Sequence, residues 1–175
     1  MNSASQVFLI DSSAIFSGKP LNFDEMMTTS KISDEFQSGG RDYQRFQLLC
    51  EKGMKISEPS KESITQVRKA IERFGEQSRL SLADISILAL AIDVKKSQQH
   101  IPIIVTDDYS IQNIANHIEI SIQSMSQKGI TKRFKWERRC RGCRRKVSDD
   151  VDVCPDCGSS LTTIVKKKYT LKKHK

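Results

Sequence analysis

The chain has 175 residues, of which 37% are hydrophobic and 29% charged, and its formal net charge is +8. This length suits one ordinary domain with a small appendage, and no apolar run approaches the roughly 20 residues of a membrane span. Residues 1–13, MNSASQVFLIDSS, lack a basic segment and a long apolar run, so the sequence predicts a cytoplasmic protein without a signal peptide. Five cysteines, an odd number, argue against a disulfide scaffold in that compartment.

The positive charge is concentrated in the C-terminal quarter of the chain. Residues 132–175 contain 15 Lys and Arg against 5 Asp and Glu, a balance of +10. Residues 1–131 contain 14 against 16, a balance of −2. A basic segment attached to a nearly neutral body indicates a polyanionic partner, most simply nucleic acid, although a solubilising tail would look the same.

The first half of the chain contains two predicted strands and one clear helix. QVFLID, residues 6–11, is a short apolar run that predicts a buried strand. Residues 22–36 are mixed in character and predict a loop with a short helix. In residues 41–53 apolar side chains recur at helical spacing, and Gly53 ends the helix. MKISEP, residues 54–59, predicts the second strand.

The second half alternates helices with strands. Ser60 is placed to cap a helix whose apolar residues form one stripe. Residues 81–97 form the most apolar helix, which predicts a central position. IPIIV, residues 101–105, predicts the third strand, and it is followed by a short helix over 109–117 and a fourth strand over 118–122.

Strands that alternate with helices, and that read as continuous apolar runs, predict a parallel sheet covered on both faces, an α/β sandwich. The composition becomes polar and basic near its end, so residues 126–135 are predicted to be a linker. The predicted organisation is therefore a main domain over 1–125, a small second domain over 136–170 and a basic tail over 171–175.

Four of the cysteines form a regular module in the small domain. Two CxxC pairs are separated by ten residues, a spacing at which two tight turns aim four thiolates at one point. This arrangement predicts one structural zinc ion per chain, in a zinc ribbon, bound by Cys140, Cys143, Cys154 and Cys157. Cys50 stands apart and is interpreted as a buried apolar side chain.

Acidic residues recur at the ends of the predicted elements. Asp11 follows the first strand, and Asp107 and Asp108 follow the third. Asp84 opens the most apolar helix, and Glu35 follows a short polar stretch. Because ligands of open α/β sheets bind at the carboxyl ends of the strands, these side chains can face one crevice.

Two interpretations of these acids remain open. Ser81 and Asp84 fit a capping box, Asp108 can cap the following helix, and Asp11 can bind turn amides. Alternatively, several carboxylates in one crevice stay ionised because a cation offsets their charge, and oxygen ligands select Mg²⁺ or Mn²⁺. Since successive side chains of an extended chain point to opposite sides, we expect Asp107 to be a ligand and Asp108 a cap or supporting group.

The stretches FLIDSSAIF, ISDEF, LSLADISILALA and IVTDDYSIQNIA resemble the acidic motifs of PIN-domain ribonucleases over residues 5–125. The string TDDYSIQNIA followed by a zinc ribbon is similar to one branch, the archaeal Nob-type endonucleases. The resemblance implies a PIN-like three-layer sandwich, with Ser12 and Ser13 as the small hydroxyl residues after the first acid. The acids it implies as catalytic Mg²⁺ or Mn²⁺ ligands are Asp11, Glu35, Asp84 and Asp107, with Asp108 adjacent and Asp34 the alternative to Glu35.

Aromatic rings lie among the basic residues around the cysteines. Phe134, Trp136 and Tyr169 can stack on bases while Lys and Arg meet phosphates, or they can simply pack a small core. The predicted RNA contacts of this segment are Arg133, Lys135, Trp136, Arg138, Arg139, Arg141, Arg144, Arg145 and Lys146.

Together these features predict a metal-dependent endoribonuclease. The resemblance implies cleavage at the 3′ end of small-subunit ribosomal RNA, with a precursor ribosomal particle and a KH-domain assembly factor as partners. One alternative is a non-catalytic RNA-binding assembly protein on the same fold. Another is a toxin-type ribonuclease, against which the zinc ribbon argues because such toxins usually end with the α/β domain.

Overall fold

The computed structural model describes residues 5–36, 38–75, 79–126, 132–148 and 151–170, and only the backbone of residues 132–135 and 167–170. The main body is built on a sheet of five parallel strands, which confirms the predicted α/β class. The strands are β1 (Ser5–Ile10), β2 (Met26–Thr28), β3 (Lys55–Ile56), β4 (His100–Val105) and β5 (Ser121–Gln123). Their order across the sheet is β3-β2-β1-β4-β5, so β1 is central.

Six helices connect these strands, and the four longest lie where the sequence predicts helices. The six are α1 (Ser12–Phe16), α2 (Ser30–Ser33), α3 (Arg41–Glu51), α4 (Lys61–Phe74), α5 (Leu82–Lys96) and α6 (Tyr109–His117). The Ser60 hydroxyl caps α4 by accepting the N–H of Ser63, and Gly75 ends the helix with a left-handed backbone, φ 75°. None of the described helices is long and apolar enough to cross a bilayer.

The sequence prediction was wrong about the number of strands, because it missed β2. Met26–Thr28 has only three residues, too few for a periodic pattern, and it lies in a stretch of mixed polarity. It forms because β1 and β3 flank it on both sides, with Phe8 opposite Met26 and Thr28 opposite Ile56. Strand β5, the last strand of this sheet, starts at Ser121, later than the predicted start at residue 118. The chain first leaves α6 through Glu119, which has a positive φ of 59°.

The main core lies where α5 covers the centre of the sheet. Leu9 and Ile10 of β1 and Ile104 and Val105 of β4 are fully buried beside each other. Helix α5 is apolar on nearly all sides because it packs between the sheet, α4, α6 and α2. This explains why it is the most apolar helix and why its first turn is held firmly at the edge of the sheet. Cys50 packs against the same core but is only half-buried, whereas the sequence predicted a buried side chain.

The C-terminal unit is a long two-stranded ladder that carries the cysteines. Strand β6 (Lys132–Cys140) pairs antiparallel with β7 (Leu161–Thr170). Its small core contains Cys140, Val147 and Cys154, far too little apolar area to fold a domain without a cross-link or a metal. Of the predicted linker, residues 127–131 lie outside the described part of the chain, and residues 132–135 already belong to β6.

Strand β6 also contacts the main body. The C-terminal end of α4 approaches it so closely that a Cβ on Gly75 would lie 2.3 Å from the carbonyl oxygen of Trp136. The Arg79 guanidinium lies 3.9 Å from the centre of the Trp136 ring, a cation–π contact. Nearby, the rings of Phe74 and His117 stack at 3.5 Å. The ladder is therefore docked against α4 and α6.

Candidate functional site

The chain connections that leave β1 and β4 run in opposite directions across the sheet. From β1 the chain moves to β2 and β3 on one side, whereas β4 leads to β5 on the other. The two strands are direct neighbours, and the backbone N–H of Asp11 donates to the carbonyl of Val105 at 3.2 Å. The carboxyl ends of two such strands form the crevice in which α/β proteins bind ligands. Asp11 and Thr106 are the first residues beyond these ends.

Asp11 is the most buried acid of the site, with an exposed fraction of 2%. One carboxylate oxygen accepts hydrogen bonds from the hydroxyls of Ser13 at 2.6 Å and Thr106 at 2.7 Å, and from the Ser13 N–H at 3.3 Å. Burial raises the pKa of Asp11 above its usual range, and these hydrogen bonds offset only part of that effect. Asp11 thus caps α1 and is fixed by these hydrogen bonds at a position where burial disfavours its charged form.

Asp84 forms the capping box that the sequence predicted. Its carboxylate accepts the N–H of Ser81 at 2.6 Å, and the Ser81 hydroxyl accepts the N–H of Asp84 at 3.2 Å. Burial is the largest influence that raises the pKa of Asp84, and the negative charges of Asp11 and Asp108 raise it further. The structure therefore brings these three carboxylates into one electrostatic cluster, which we call the acidic cluster.

The two adjacent acids after β4 have different partners. Asp108 caps α6, as expected, and its Oδ1 accepts the N–H groups of Ser110 at 2.6 Å and Ile111 at 3.3 Å. Asp107 turns away from the acidic cluster toward the loop after β5. Burial is again the largest influence on its pKa and raises it, but hydrogen bonds from residues 124–126 together bring the pKa below its usual value.

The loop contact of Asp107 is extensive. Its Oδ1 accepts the Ser124 hydroxyl at 2.5 Å, the Met125 N–H at 2.8 Å and the Ser126 N–H at 3.0 Å. This carboxylate therefore fixes the loop after β5. Its predicted role as a metal ligand stays a prediction.

Glu35 is exposed and lies two residues after α2, and Asp34 beside it is exposed as well. Helix α2 packs on α5, where the hydroxyls of Thr29 and Ser86 lie 2.6 Å apart. Glu35 is thus carried by a segment that contacts the helix of Asp84. Within the described residues, however, no three carboxylates each place an oxygen within 4.8 Å of the others. The role of Glu35 as a ligand also stays a prediction.

The acidic cluster nevertheless has the chemistry of a hard-cation site. Its donors are all carboxylate oxygens, which Mg²⁺ and Mn²⁺ prefer. Burial raises the pKa values of Asp11 and Asp84, and repulsion from Asp11 and Asp108 raises that of Asp84 further, so a bound cation would relieve these costs. Hydrogen bonds from Ser13, Thr106 and Ser81 hold the carboxylates in place beforehand. The donor set therefore suits a divalent cation, which would draw the carboxylate oxygens closer together than they lie here.

Thr106 is a site residue that sequence reasoning did not assign. It is fully buried, and its hydroxyl donates to Asp11 while accepting the N–H of Asp108 at 3.0 Å. The side-chain amide of Gln112, also buried, donates to the Thr106 carbonyl at 2.8 Å. The sequence signal that could have pointed to Thr106 was its partner Gln112, a polar residue on the buried face of a short helix, four positions after the acid pair. Thr106 couples the ends of β1 and β4 to the cap of α6.

The four cysteines of the ribbon converge as predicted. Their sulfur atoms all lie within 4.8 Å of one another, with Cys140 and Cys157 at 3.3 Å and Cys143 and Cys154 at 3.7 Å. Tetrahedral zinc thiolates have sulfurs roughly 3.8 Å apart, given Zn–S bonds of about 2.3 Å. The Ser159 hydroxyl is the main cause that lowers the pKa of Cys157, to about 6. The cluster therefore fits one structural zinc ion.

The predicted RNA contacts of the ribbon divide into four groups. Arg139 pairs with the buried Glu137 at 2.6 Å and Arg145 with Asp156 at 2.7 Å, so part of their charge is used within the ribbon. Trp136 is half-buried under Arg79, which favours packing over base stacking for this ring. The side chains of Arg133 and Lys135 lie outside the described residues, as do those of Phe134 and Tyr169. The others are the half-buried Arg138 and the exposed Arg141, Arg144 and Lys146.

Comparisons with known proteins agree with this arrangement. The family described as PIN domain of ribonuclease matches residues 8–94. The Endoribonuclease Nob1 of Archaeoglobus fulgidus is 36% identical over 88% of this chain and 88% of its own length. The Endoribonuclease Nob1 of Pyrococcus abyssi is 33% identical over 91% of this chain and 94% of its own length. The Ribonuclease VapC1 of Thermoplasma acidophilum is 33% identical over 95% of this chain and 80% of its own length.

Proposed function

Because the chain belongs to the PIN-domain endoribonucleases of the Nob1 type, we propose that its nuclease activity cuts precursor ribosomal RNA at the 3′ end of the small-subunit rRNA. One observation carries the proposal. The chain that carries the acidic cluster and the four converging cysteines aligns with two Endoribonuclease Nob1 proteins over 88% and 94% of their own length. The basic ribbon supplies affinity for RNA, and the acidic cluster supplies the chemistry.

A divalent cation at this site, when bound, acidifies a water for attack on phosphorus and offsets charge on the leaving oxygen. Asp11, Asp84 and Asp108 would hold it, with Mg²⁺ and Mn²⁺ the ions that suit their oxygens. Asp107 and Glu35 complete the predicted set. The sequence predicted Asp107 as the ligand and Asp108 as the cap. Asp108 does cap α6, but its charge also acts on Asp84, whereas Asp107 binds the loop after β5, so we assign Asp108 as the direct ligand and Asp107 as the residue that fixes the loop.

The surrounding residues orient the carboxylates. Ser13 and Thr106 fix one oxygen of Asp11, and Ser81 fixes Asp84. Since burial raises the pKa values of Asp11 and Asp84, protons compete with the cation as the pH falls. We therefore expect cleavage to require a higher divalent-ion concentration at lower pH.

The test is cleavage of an RNA fragment that spans the 3′ end of small-subunit rRNA, with Mn²⁺ or Mg²⁺, beside a scrambled fragment of equal length. We expect one cut in the first fragment and weak, scattered cutting in the second. Asp84→Asn should lower the rate by at least about 100-fold, the scale for removing one group that stabilises transition-state charge. Asp42→Asn, which removes a half-buried carboxylate on α3 that pairs with Arg45 at 2.9 Å, is the matched control and should leave the rate unchanged.

Asp107→Asn and Asp108→Asn separate the two adjacent acids. Asn still caps a helix, and its side-chain oxygen still accepts the loop hydrogen bonds, so each variant removes mainly a charge. We expect Asp108→Asn to lose cleavage and Asp107→Asn to retain part of it. The opposite result would restore the original assignment of Asp107 as the ligand.

A ribonuclease with a different RNA substrate is the second candidate, because the relative named Ribonuclease VapC1 aligns over nearly the whole chain, ribbon included. Equal cutting of both fragments in the same assay would favour it. If neither is cut while both bind, the protein is instead a non-catalytic assembly factor.

The proposal also includes the setting of the reaction. We place the protein in the cytoplasm, where its thiols stay reduced and available for zinc. Its expected partners are the precursor of the small ribosomal subunit and a KH-domain assembly factor. Co-sedimentation of the tagged protein with precursor subunits in a sucrose gradient tests the first partner, and a protein found only in the free fractions would contradict it.

A further inference from the structure

Two large apolar side chains beside the acidic cluster are exposed to solvent. Leu82, the first residue of α5, has an exposed fraction of 63%, and Tyr109, the first residue of α6, has one of 64%. Leu82 precedes Asp84 by two positions, and Tyr109 directly follows Asp108. The most exposed apolar residues of the main body therefore sit next to its acids.

Both side chains lie in the first turn of a helix that begins at the carboxyl edge of the sheet. In an α-helix the Cα–Cβ bond tilts toward the N-terminus, so a residue in the first turn projects toward or beyond the helix end. The Ser86 hydroxyl of α5 lies 2.6 Å from that of Thr29 after β2, and α6 begins at Asp108 after β4. Since β1 lies between β2 and β4, Leu82 and Tyr109 lie at the same edge of the sheet, on either side of the end of β1.

Neither side chain contributes to the core. Leu82 belongs to a capping box whose hydrogen bonds come from Ser81 and Asp84, and Tyr109 follows a cap made by Asp108. Since packing does not account for them, their exposed surface is available to a ligand.

The chemistry of the site restricts what that ligand can be. The acidic cluster repels phosphates, so RNA that reaches it cannot be held there by charge alone. Unpaired bases present flat apolar faces, and stacking on aromatic side chains is a common way for proteins to hold single-stranded RNA. An aromatic and an aliphatic side chain beside the acids provide such surfaces where basic residues would compete with the cation.

We propose that Tyr109 and Leu82 hold the unpaired bases that flank the phosphodiester to be cut, with Tyr109 stacking on one base and Leu82 packing against the other. The proposal rests on the proposed RNA cleavage and names the substrate class at that site as single-stranded RNA. It makes these two residues responsible for placing the phosphodiester at the acidic cluster, while the ribbon holds RNA at a distance.

The test uses the full chain, loaded with zinc, and a short single-stranded RNA that carries the fluorescent base 2-aminopurine beside the cut position. Without divalent cations the RNA binds but is not cut, and stacking quenches the fluorescence. We expect Tyr109→Ala to abolish the quenching and to raise KM by about 5-fold to 100-fold, the range for losing one stacked base. Tyr109→Phe keeps the ring, so it should keep the quenching, and its KM should stay within about 2-fold of the wild-type KM.

Leu82→Ala should raise KM without changing kcat by more than about 2-fold, since a contact to both the ground state and the transition state acts on binding. Ile101→Ala is the matched control. Ile101 is an exposed apolar residue of the same body at the opposite end of the sheet, and its loss should change neither quenching nor KM. Melting curves of all variants confirm that they are folded.

The outcomes separate this inference from the proposed function. If the wild type cuts RNA and Tyr109→Ala equals it in quenching and KM, the base contact is refuted while the cleavage proposal stands. If the wild type cuts no RNA but quenches fluorescence through Tyr109, the base contact stands and the cleavage proposal fails. A duplex of the same sequence that is quenched and cut as well as the single strand would also overturn the inference.

Discussion

The close approach of Gly75 to β6 gives a sharp test of how the ribbon is attached. Gly75 ends α4 with φ 75°, a conformation in which a side chain costs about 1–2 kcal/mol. In the Gly75→Ala variant the new Cβ would also lie 2.3 Å from the Trp136 carbonyl oxygen, although real Cβ contacts essentially never fall below 3.0 Å. Strand β6 or the end of α4 must therefore move.

Gly53→Ala is the matched control for the backbone strain. Gly53 follows α3 with φ 101°, and nothing lies within 4 Å of the position of its missing Cβ. Both variants place a side chain on a backbone with positive φ, but only Gly75→Ala also overpacks its surroundings, which costs about 1–3 kcal/mol. We expect Gly53→Ala to lose about 1–2 kcal/mol of unfolding free energy and Gly75→Ala to lose about 2–5 kcal/mol.

Urea unfolding measures this difference, and fluorescence locates it. Trp136 is the single tryptophan of the chain, so its emission reports directly on the contact with Gly75 and Arg79. We expect a red-shifted emission for Gly75→Ala and an unchanged spectrum for Gly53→Ala. Equal losses of stability together with equal spectra would show that β6 does not dock on α4.

Three further results should follow from the same structure. Chelation of zinc, or Cys154→Ser, should unfold the ribbon while the main body keeps its own melting transition, because the ribbon core is too small to fold without metal; a single transition lost as a whole would contradict the predicted domain boundary. Replacing Arg141, Arg144 and Lys146 with Gln should lower the slope of log affinity against log salt by about 2, at about 0.7 per contact to single-stranded RNA, and an unchanged slope would show that they do not touch phosphates. Asp93→Asn should cost about 1–2 kcal/mol at neutral pH, because Asp93 accepts hydrogen bonds from residues 60 and 63. Burial is the largest influence on the Asp93 pKa and raises it, but these bonds bring it below its usual value of 3.8, so the difference from the wild type should persist at neutral pH and vanish as the pH falls below about 4 in thermal melts.

Local signals in the sequence predicted most of the fold. The capping box of Ser81 and Asp84 and the cap at Ser60 mark helix starts with hydrogen bonds that involve only neighbouring residues, so a linear pattern contains them. The apolar runs of β1 and β4 are long enough to be recognised. Strand β2 was missed because three residues between two other strands gain their stability from pairing, which a local pattern does not record.

The division between Asp107 and Asp108 shows where sequence reasoning reached its limit. The prediction used the alternation of side chains along a strand, but β4 ends at Val105 and residues 106–108 are no longer extended in the sheet. Beyond that point the direction of each side chain depends on its partners. The loop at residues 124–126 attracts Asp107, and the N-terminus of α6 holds Asp108. The cap of α6 by Asp108 could be predicted from spacing, whereas the loop that Asp107 binds begins 17 positions later and could not.

The two ends of the connection between body and ribbon are both anchored. On one side, Asp107 binds the loop at residues 124–126, and the Lys19 amine donates to the Met125 carbonyl. On the other side, Trp136 is held by Gly75 and Arg79. The stretch from residue 126 to residue 132 can span at most about 20 Å, so the ribbon stays near the acidic cluster even if it undocks.

Because this connection is short, loosening the contact between Gly75 and Trp136 should have a specific effect on RNA cleavage. Gly75→Ala would change the angle of the ribbon and not its distance from the body, so overall RNA affinity should fall little. The position at which a bound RNA enters the crevice should shift instead. If the ribbon sets the register of the cut, Gly75→Ala will spread cleavage over neighbouring phosphodiesters while Gly53→Ala leaves a single cut. A single, unmoved cut in both variants would assign the register to the bases held at the acidic cluster alone.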